Sequence, residues 1–187
     1  MSILHLRTKW IDFIYRVATG SKKFRNLLTP IGATFFIIFT ILFVIVALKL
    51  DKVLNYPEFI AEPLNIILAL PIVILGACIS GWSALHFFKV KGTPVPINPP
   101  PVLVTSGPFA YARNPMITGI FIILFGLGVL YSSVTLILLF TPLFIFLNIW
   151  ELKAIEEPEL EKRLGEEYIE YKKRTPMFIP GFRRRTK

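Results

Sequence analysis

Three uncharged apolar runs organise the chain. Ile31 to Leu48 covers 18 residues, Leu64 to Leu85 covers 22 and Met116 to Trp150 covers 35. A transmembrane helix needs roughly 20 apolar residues, within about 17–25. The first two runs therefore predict one span each. The third is too long for one span, and Tyr131-Ser132-Ser133 near its middle can turn the chain. The pattern predicts spans near 31–48, 64–85, 116–131 and 134–150, the last two forming a tight hairpin. Because lipid cannot satisfy open backbone groups, the expected fold is an all-α integral membrane protein with about four transmembrane helices.

Both ends carry a different pattern. Leu6, Trp10, Phe13, Ile14 and Val17 recur at helical spacing, with Arg7, Lys9 and Arg16 on the other side. That predicts a basic interfacial helix within residues 1–29. Leu160, Leu164, Tyr168 and Tyr171 form a second stripe, which predicts an amphipathic helix in the tail. Residues 30–187 then make up the membrane domain. No signal peptide is expected, since no small-residue cleavage site follows an apolar core.

Charge sets the orientation. The chain is 54% hydrophobic, yet its net charge is +9. The apolar content excludes a disordered chain, and in so apolar a chain the basic excess points to a membrane surface rather than nucleic acid. Residues 1–29 carry six Lys/Arg and one Asp, and residues 86–115 carry three basic groups and no acid. The tail from Glu151 holds ten Lys/Arg and eight Glu, whereas residues 49–63 are net acidic. With four spans, the three basic segments share one side. The positive-inside rule makes that side, and both termini, cytoplasmic; in a prokaryote the membrane would be the inner one. The single cysteine rules out an intramolecular disulfide and a cysteine-rich zinc site, and no metal site is expected.

Two segments on the basic side, 104–119 and 151–180, are unlike membrane filler. In the first, Asn114 followed by Pro115 fits an N-cap and first helical residue, with Arg113 just before them. A helix start of this kind offers free N–H groups to an anion. In the second, Pro158 predicts a helix start with Glu156 and Glu157 at its favourable N-terminal end. A carboxylate pair so close to a span invites a cation or a hydroxyl-bearing ligand. Gly165, inside the expected tail helix, costs about 1 kcal/mol relative to Ala, which predicts a packing reason for it. His5 and His86 read as structural or interfacial, and Cys78 as a packed small residue in mid-span.

Taken in order, the motifs resemble the isoprenylcysteine carboxyl methyltransferase and phospholipid methyltransferase group of membrane enzymes. They are Gly107-Pro108-Phe109, Arg113-Asn114-Pro115-Met116-Ile117-Thr118-Gly119, the hairpin, Glu156-Glu157, Leu164-Gly165-Glu166-Glu167-Tyr168-Ile169-Glu170-Tyr171 and Ile179-Pro180. Asn114 stands where that group often has His, and Ile117 occupies its Tyr position. The resemblance implies S-adenosyl-L-methionine as methyl donor, bound by Arg113, Asn114, Pro115, Gly119, Glu156 and Glu157. It implies catalytic roles for Arg113 and Glu157. It also gives Lys153 the place of the basic residue that holds an acceptor carboxylate. The implied partner is a lipid-like or prenylated acceptor within the membrane. Carboxyl methylation of an isoprenylcysteine-like or other lipid-like substrate stands first. Phospholipid or small-molecule N-methylation, and a non-catalytic membrane protein that has kept the fold, are the alternatives.

Overall fold

The computed structural model describes residues 3–178. Six helices account for most of them: α1 (Ile3–Thr19), α2 (Lys22–Val53), α3 (Leu64–Lys89), α4 (Pro115–Leu130), α5 (Leu136–Leu164) and α6 (Glu166–Arg174). No strand occurs among the described residues. Helices α2, α3 and α5 are long and apolar enough to cross a membrane, while α4 is apolar but only 16 residues long. Large side chains such as Ile31, Phe35 and Leu138 stand exposed around them. A soluble monomer rarely shows so much contiguous apolar surface, so the chain is built as an integral membrane protein.

Helix α2 overruns its apolar segment at both ends, from Lys22 to Val53. At a rise of about 1.5 Å per residue, its polar ends project beyond a hydrocarbon core. Asp51, in the last turn of α2, does a specific job there. Its carboxylate accepts from the Ser133 and Thr135 hydroxyls and, at 3.0 Å, from the Thr135 backbone N–H. The Ser133 hydroxyl oxygen accepts from Leu136 N at 3.0 Å. Together they satisfy the open donors at the start of α5, so the turn expected at residues 131–133 forms under a cap supplied by another helix. Asn65 closes the other half of the hairpin by donating to the Leu130 carbonyl at 2.8 Å.

Helices α3 and α4 cross closely because Gly76 and Gly119 face each other. A Cβ on Gly119 would lie 2.5 Å from the Gly76 carbonyl oxygen and closer still to the Ser80 hydroxyl. Packing of small residues brings helix backbones together where lipid gives no hydrophobic drive. On the far side of α4, Phe121, Leu124 and Phe144 form the buried centre, walled by Phe36, Phe39 and Phe43 of α2 and by Phe178. The Phe144 ring lies 5.5 Å from Phe43 and 6.1 Å from Phe121.

Helix α5 contains two π turns, Leu136–Phe140 and Leu152–Glu156. It runs through Pro158 without a break, so Glu156 and Glu157 do not sit at a helix start as the sequence suggested. Gly165 ends it, with φ +59° and ψ −137°, and a Cβ there would meet nothing within 4 Å. The reason for this glycine is its backbone conformation, not the close packing expected. Helix α1 lies on the charged end of α5, through a 2.8 Å ion pair between Lys162 and Asp12 and burial of Val17 and Ala18. Trp10 and Phe13 face outward. Cys78 is exposed on the side of α3, so it is not the packed residue expected.

Candidate functional site

At the charged end of the bundle, the three turns of chain that bear Arg113, Glu157 and Lys172 interlock. Arg113 Nη2 donates to Glu157 Oε1 at 2.5 Å, and Lys172 Nζ lies 2.6 Å from Glu157 Oε2. Arg113 Nη1 also donates to the Thr175 carbonyl at 2.6 Å and the Lys172 carbonyl at 3.0 Å. The backbone follows the same seam: Arg113 N donates to Pro176 O and Asn114 N to Met177 O. The segment after α6 is thereby laced to the turn before α4, and Phe178 reaches the core. Arg113 does not snorkel to lipid; its side chain is 10% exposed.

This clamp forms one corner of a cavity of about 550 Å³, within the usual range for small-molecule sites. One wall comes from α5 and α6: Asn148, Glu151, Glu156, Glu157, Leu160, Leu164, Tyr168 and Tyr171. Arg113, Asn114 and Ile117 form the second wall. The Pro-rich stretch from Thr93 to Val104 covers the cavity, held to the foot of α2 by Asn98, which donates to Thr29 Oγ1 at 2.9 Å. The remaining wall is apolar: Gly32, Ala33, Phe36 and their neighbours on α2, with Ile14 of α1. One end is thus charged and the other greasy.

The charges inside are unevenly matched. Arg113 is tied to Glu157, and Arg163 Nε donates to Glu159 at 2.8 Å. Among the described residues, Glu151 and Glu156 have no hydrogen-bond or ion-pair partner, although both line the cavity. The π turn between them has a structural consequence. Bonds from i to i+5 stack residues five apart on one face, which brings Glu151 and Glu156 to the same wall. Tyr171 donates to the Phe109 carbonyl at 2.7 Å. Burial raises the phenol pKa of Tyr168 and of Tyr171, and the Glu157 carboxylate adds to the rise at Tyr168. Both rings stay neutral donors. The hydrogen bond to Glu157 raises the Lys172 pKa.

The expected site residues divide into two groups. Arg113, Asn114, Glu156 and Glu157 meet at the cavity. Asn114 precedes α4 as predicted, but its side chain makes no capping bond, and the residue lines the cavity. Pro115 is buried under the helix start and Gly119 packs on α3; neither lines the cavity. Lys153 faces elsewhere, into a separate groove with Arg7 and Trp150. Glu157 has both oxygens engaged by cations, so among the described residues the cavity's carboxyl groups without a partner are Glu156 and Glu151. Glu151 and Asn148 were not singled out from the sequence, because their shared face with Glu156 depends on the π turn. Ile179-Pro180 lie outside the described residues.

The comparison with known families is decisive on kinship. The family model described as phospholipid methyltransferase matches residues 64–167, which is 104 of the 187 residues. The chain belongs to the phospholipid methyltransferase family. Membership makes it a protein of the integral-membrane methyltransferase group, as the order of motifs implied. No individual curated protein and no solved structure matches the chain. The family match covers α3, α4, α5 and the start of α6, and so includes Arg113, Asn114, Glu151, Glu156 and Glu157. It leaves out α1 and α2, which supply the greasy wall of the cavity.

Proposed function

We propose that the protein transfers a methyl group from S-adenosyl-L-methionine to an amine on a lipid-like acceptor. The observation that carries the amine reading is the charge pattern of the cavity. Among the described residues, two carboxyl groups there are unpaired, while both arginines lining it are already neutralised by glutamates. Among the described residues, a carboxylate acceptor would meet acid and find no free cation, since Lys153 lies in another groove. This weighs against the carboxyl methylation ranked first from the sequence, and favours N-methylation.

The residues fit the donor. Glu156 and Glu151 are free to accept from an ammonium group and ribose hydroxyls, and Asn114 can both donate and accept. Leu160, Leu164 and the Pro-rich cover offer apolar faces to a purine. When bound, the donor supplies an electrophilic methyl group on a sulfonium. The protein's part is to align the two reactants and exclude water. As the acceptor nitrogen gains the methyl group, it loses a proton. On this reading the proton passes to the Glu151 and Glu156 pair, so a titrating His is not required at position 114. Glu157 acts by holding Arg113 and the tail in place, and the α2 wall accommodates the acceptor's apolar chain.

The topology that goes with this reading has four spans, with α4 as the short third one, and both ends of the chain on the cytoplasmic side. The lysine and arginine distribution supports it. The test is incubation of purified protein in lipid nanodiscs with methyl-labelled donor and, separately, an aminophospholipid or a prenylated cysteine. Base-stable label on the aminophospholipid is the expected result. Base-labile label on the prenylated cysteine would restore the carboxyl reading. Donor binding with no transfer to either would leave a non-catalytic protein.

A further inference from the structure

On the opposite side of α5 from the cavity lies a second concavity of about 330 Å³, lined by Arg7, Phe146, Ile149, Trp150, Lys153 and Ala154. It shares no lining residue with the first. We infer that this groove binds the headgroup of an anionic phospholipid, with the phosphate between Arg7 and Lys153.

Arg7 is fixed in place by a defect in α5. Ala154 lies inside the π turn Leu152–Glu156, where the ladder departs from the α-helical pattern, and the residue whose N–H would serve its carbonyl in an α-helix is 158. That residue is Pro158, which has none. Arg7 Nε fills the vacancy, donating to Ala154 O at 2.8 Å. This anchors the guanidinium by one edge and leaves its two terminal nitrogens unpartnered among the described residues. The Lys153 ammonium likewise has no partner there. No carboxylate lines the groove.

The rest of the lining suits a lipid rather than a free anion. Phe146 and Trp150 are 62% and 59% exposed, offering a surface for an acyl chain. Lys153 lies seven positions beyond Phe146, about 10 Å along the axis. That spans the step from hydrocarbon to phosphate, with Trp150 at the interface depth where tryptophan concentrates. An arginine fork and a lysine point charge together match a phosphate's oxygens.

The test is the melting temperature of full-length protein in mild detergent, with and without added lipid. Phosphatidylglycerol is expected to raise Tm, as a ligand of the folded state must, and phosphatidylcholine is expected not to. Lys153→Gln should reduce the rise and Arg7→Gln/Lys153→Gln should abolish it. Lys9→Gln, outside the groove, should leave it intact. Lys153 makes no bond among the described residues, and the Tm of Lys153→Gln without lipid, expected to match the parent's, separates loss of binding from loss of fold. An undiminished rise in Lys153→Gln would overturn the inference. So would an equal rise with phosphatidylcholine, or a full rise with inorganic phosphate alone.

Discussion

Arg113 and Glu157, 44 residues apart in the chain, are joined at 2.5 Å with side chains only 10% and 5% exposed. A buried pair of this kind is not in itself strong stabilisation, because desolvation offsets the attraction. Its value here is positional. One carboxylate holds the turn before α4, α5 and α6 together, and all three border the cavity.

Glu157→Ala should therefore be severe. It strands the Arg113 guanidinium, which already has one buried unpaired nitrogen, Nε. Breaking a buried pair from one side typically costs about 3–5 kcal/mol. Thermal unfolding in detergent is expected to fall accordingly, with proteolysis at the released tail. Arg113→Lys should recover little, since lysine cannot engage Glu157 and two carbonyls at once.

Glu156→Gln should behave in the opposite way. Its carboxylate bonds to nothing among the described residues, so Tm should hardly move. Binding of the methyl donor, measured by calorimetry, should weaken by about 1.5–3 kcal/mol, the value of a charge-assisted hydrogen bond. Unchanged donor affinity would remove Glu156 from the site.

Two glycines should fail for different reasons. Gly119→Ala inserts a Cβ against Gly76 and Ser80, and overpacking of this sort costs about 1–3 kcal/mol. Replacing Gly76, its counterpart, should cost a similar amount. Gly165→Ala has room for the Cβ but not the backbone angles, at a cost of about 1–3 kcal/mol. The first should loosen the α3–α4 crossing, which cysteine cross-linking across it would report; the second should leave that crossing intact.

Asp51→Ala should destabilise the far end of the bundle without touching the cavity. It leaves the Ser133 and Thr135 donors unmet, at about 1–3 kcal/mol for each buried group. A lower Tm with unaltered donor affinity is the expected pair of results. Asp51→Asn should be milder.

Lys172 predicts an alkaline limb. Its folded pKa lies above the ordinary 10.5 because of Glu157. The stabilisation is complete below that ordinary value and is lost as pH rises through the folded one. Stability should thus decline in the alkaline range, and Lys172→Met should flatten the decline. An identical pH profile in the variant would exclude Lys172 as its source.

Much of this was legible along the chain. The uncharged runs located the helices, since hydrocarbon admits only residues that carry no charge and no open backbone. The turn at Tyr131-Ser132-Ser133 was legible from local chemistry, but its cap from Asp51 was not, because that contact spans more than 80 residues. Arg113, Asn114, Glu156 and Glu157 stood out as charged or polar groups beside spans. Gly119 stood out beside them and was given a site role, because a packing glycine and a site glycine look alike in sequence.

The sequence alone determined that the protein lies in a membrane, where its apolar helices run and which family it belongs to. Those properties rest on composition, spacing and the order of motifs, all of which are local. The tertiary structure decided which charges cancel. It paired Arg113 and Lys172 with Glu157, and Arg163 with Glu159. It also used a π turn to bring Glu151 and Glu156, unpaired among the described residues, to one wall and turned Lys153 away from it. Charge compensation depends on distances across the fold, and those distances exist only once the helices have packed.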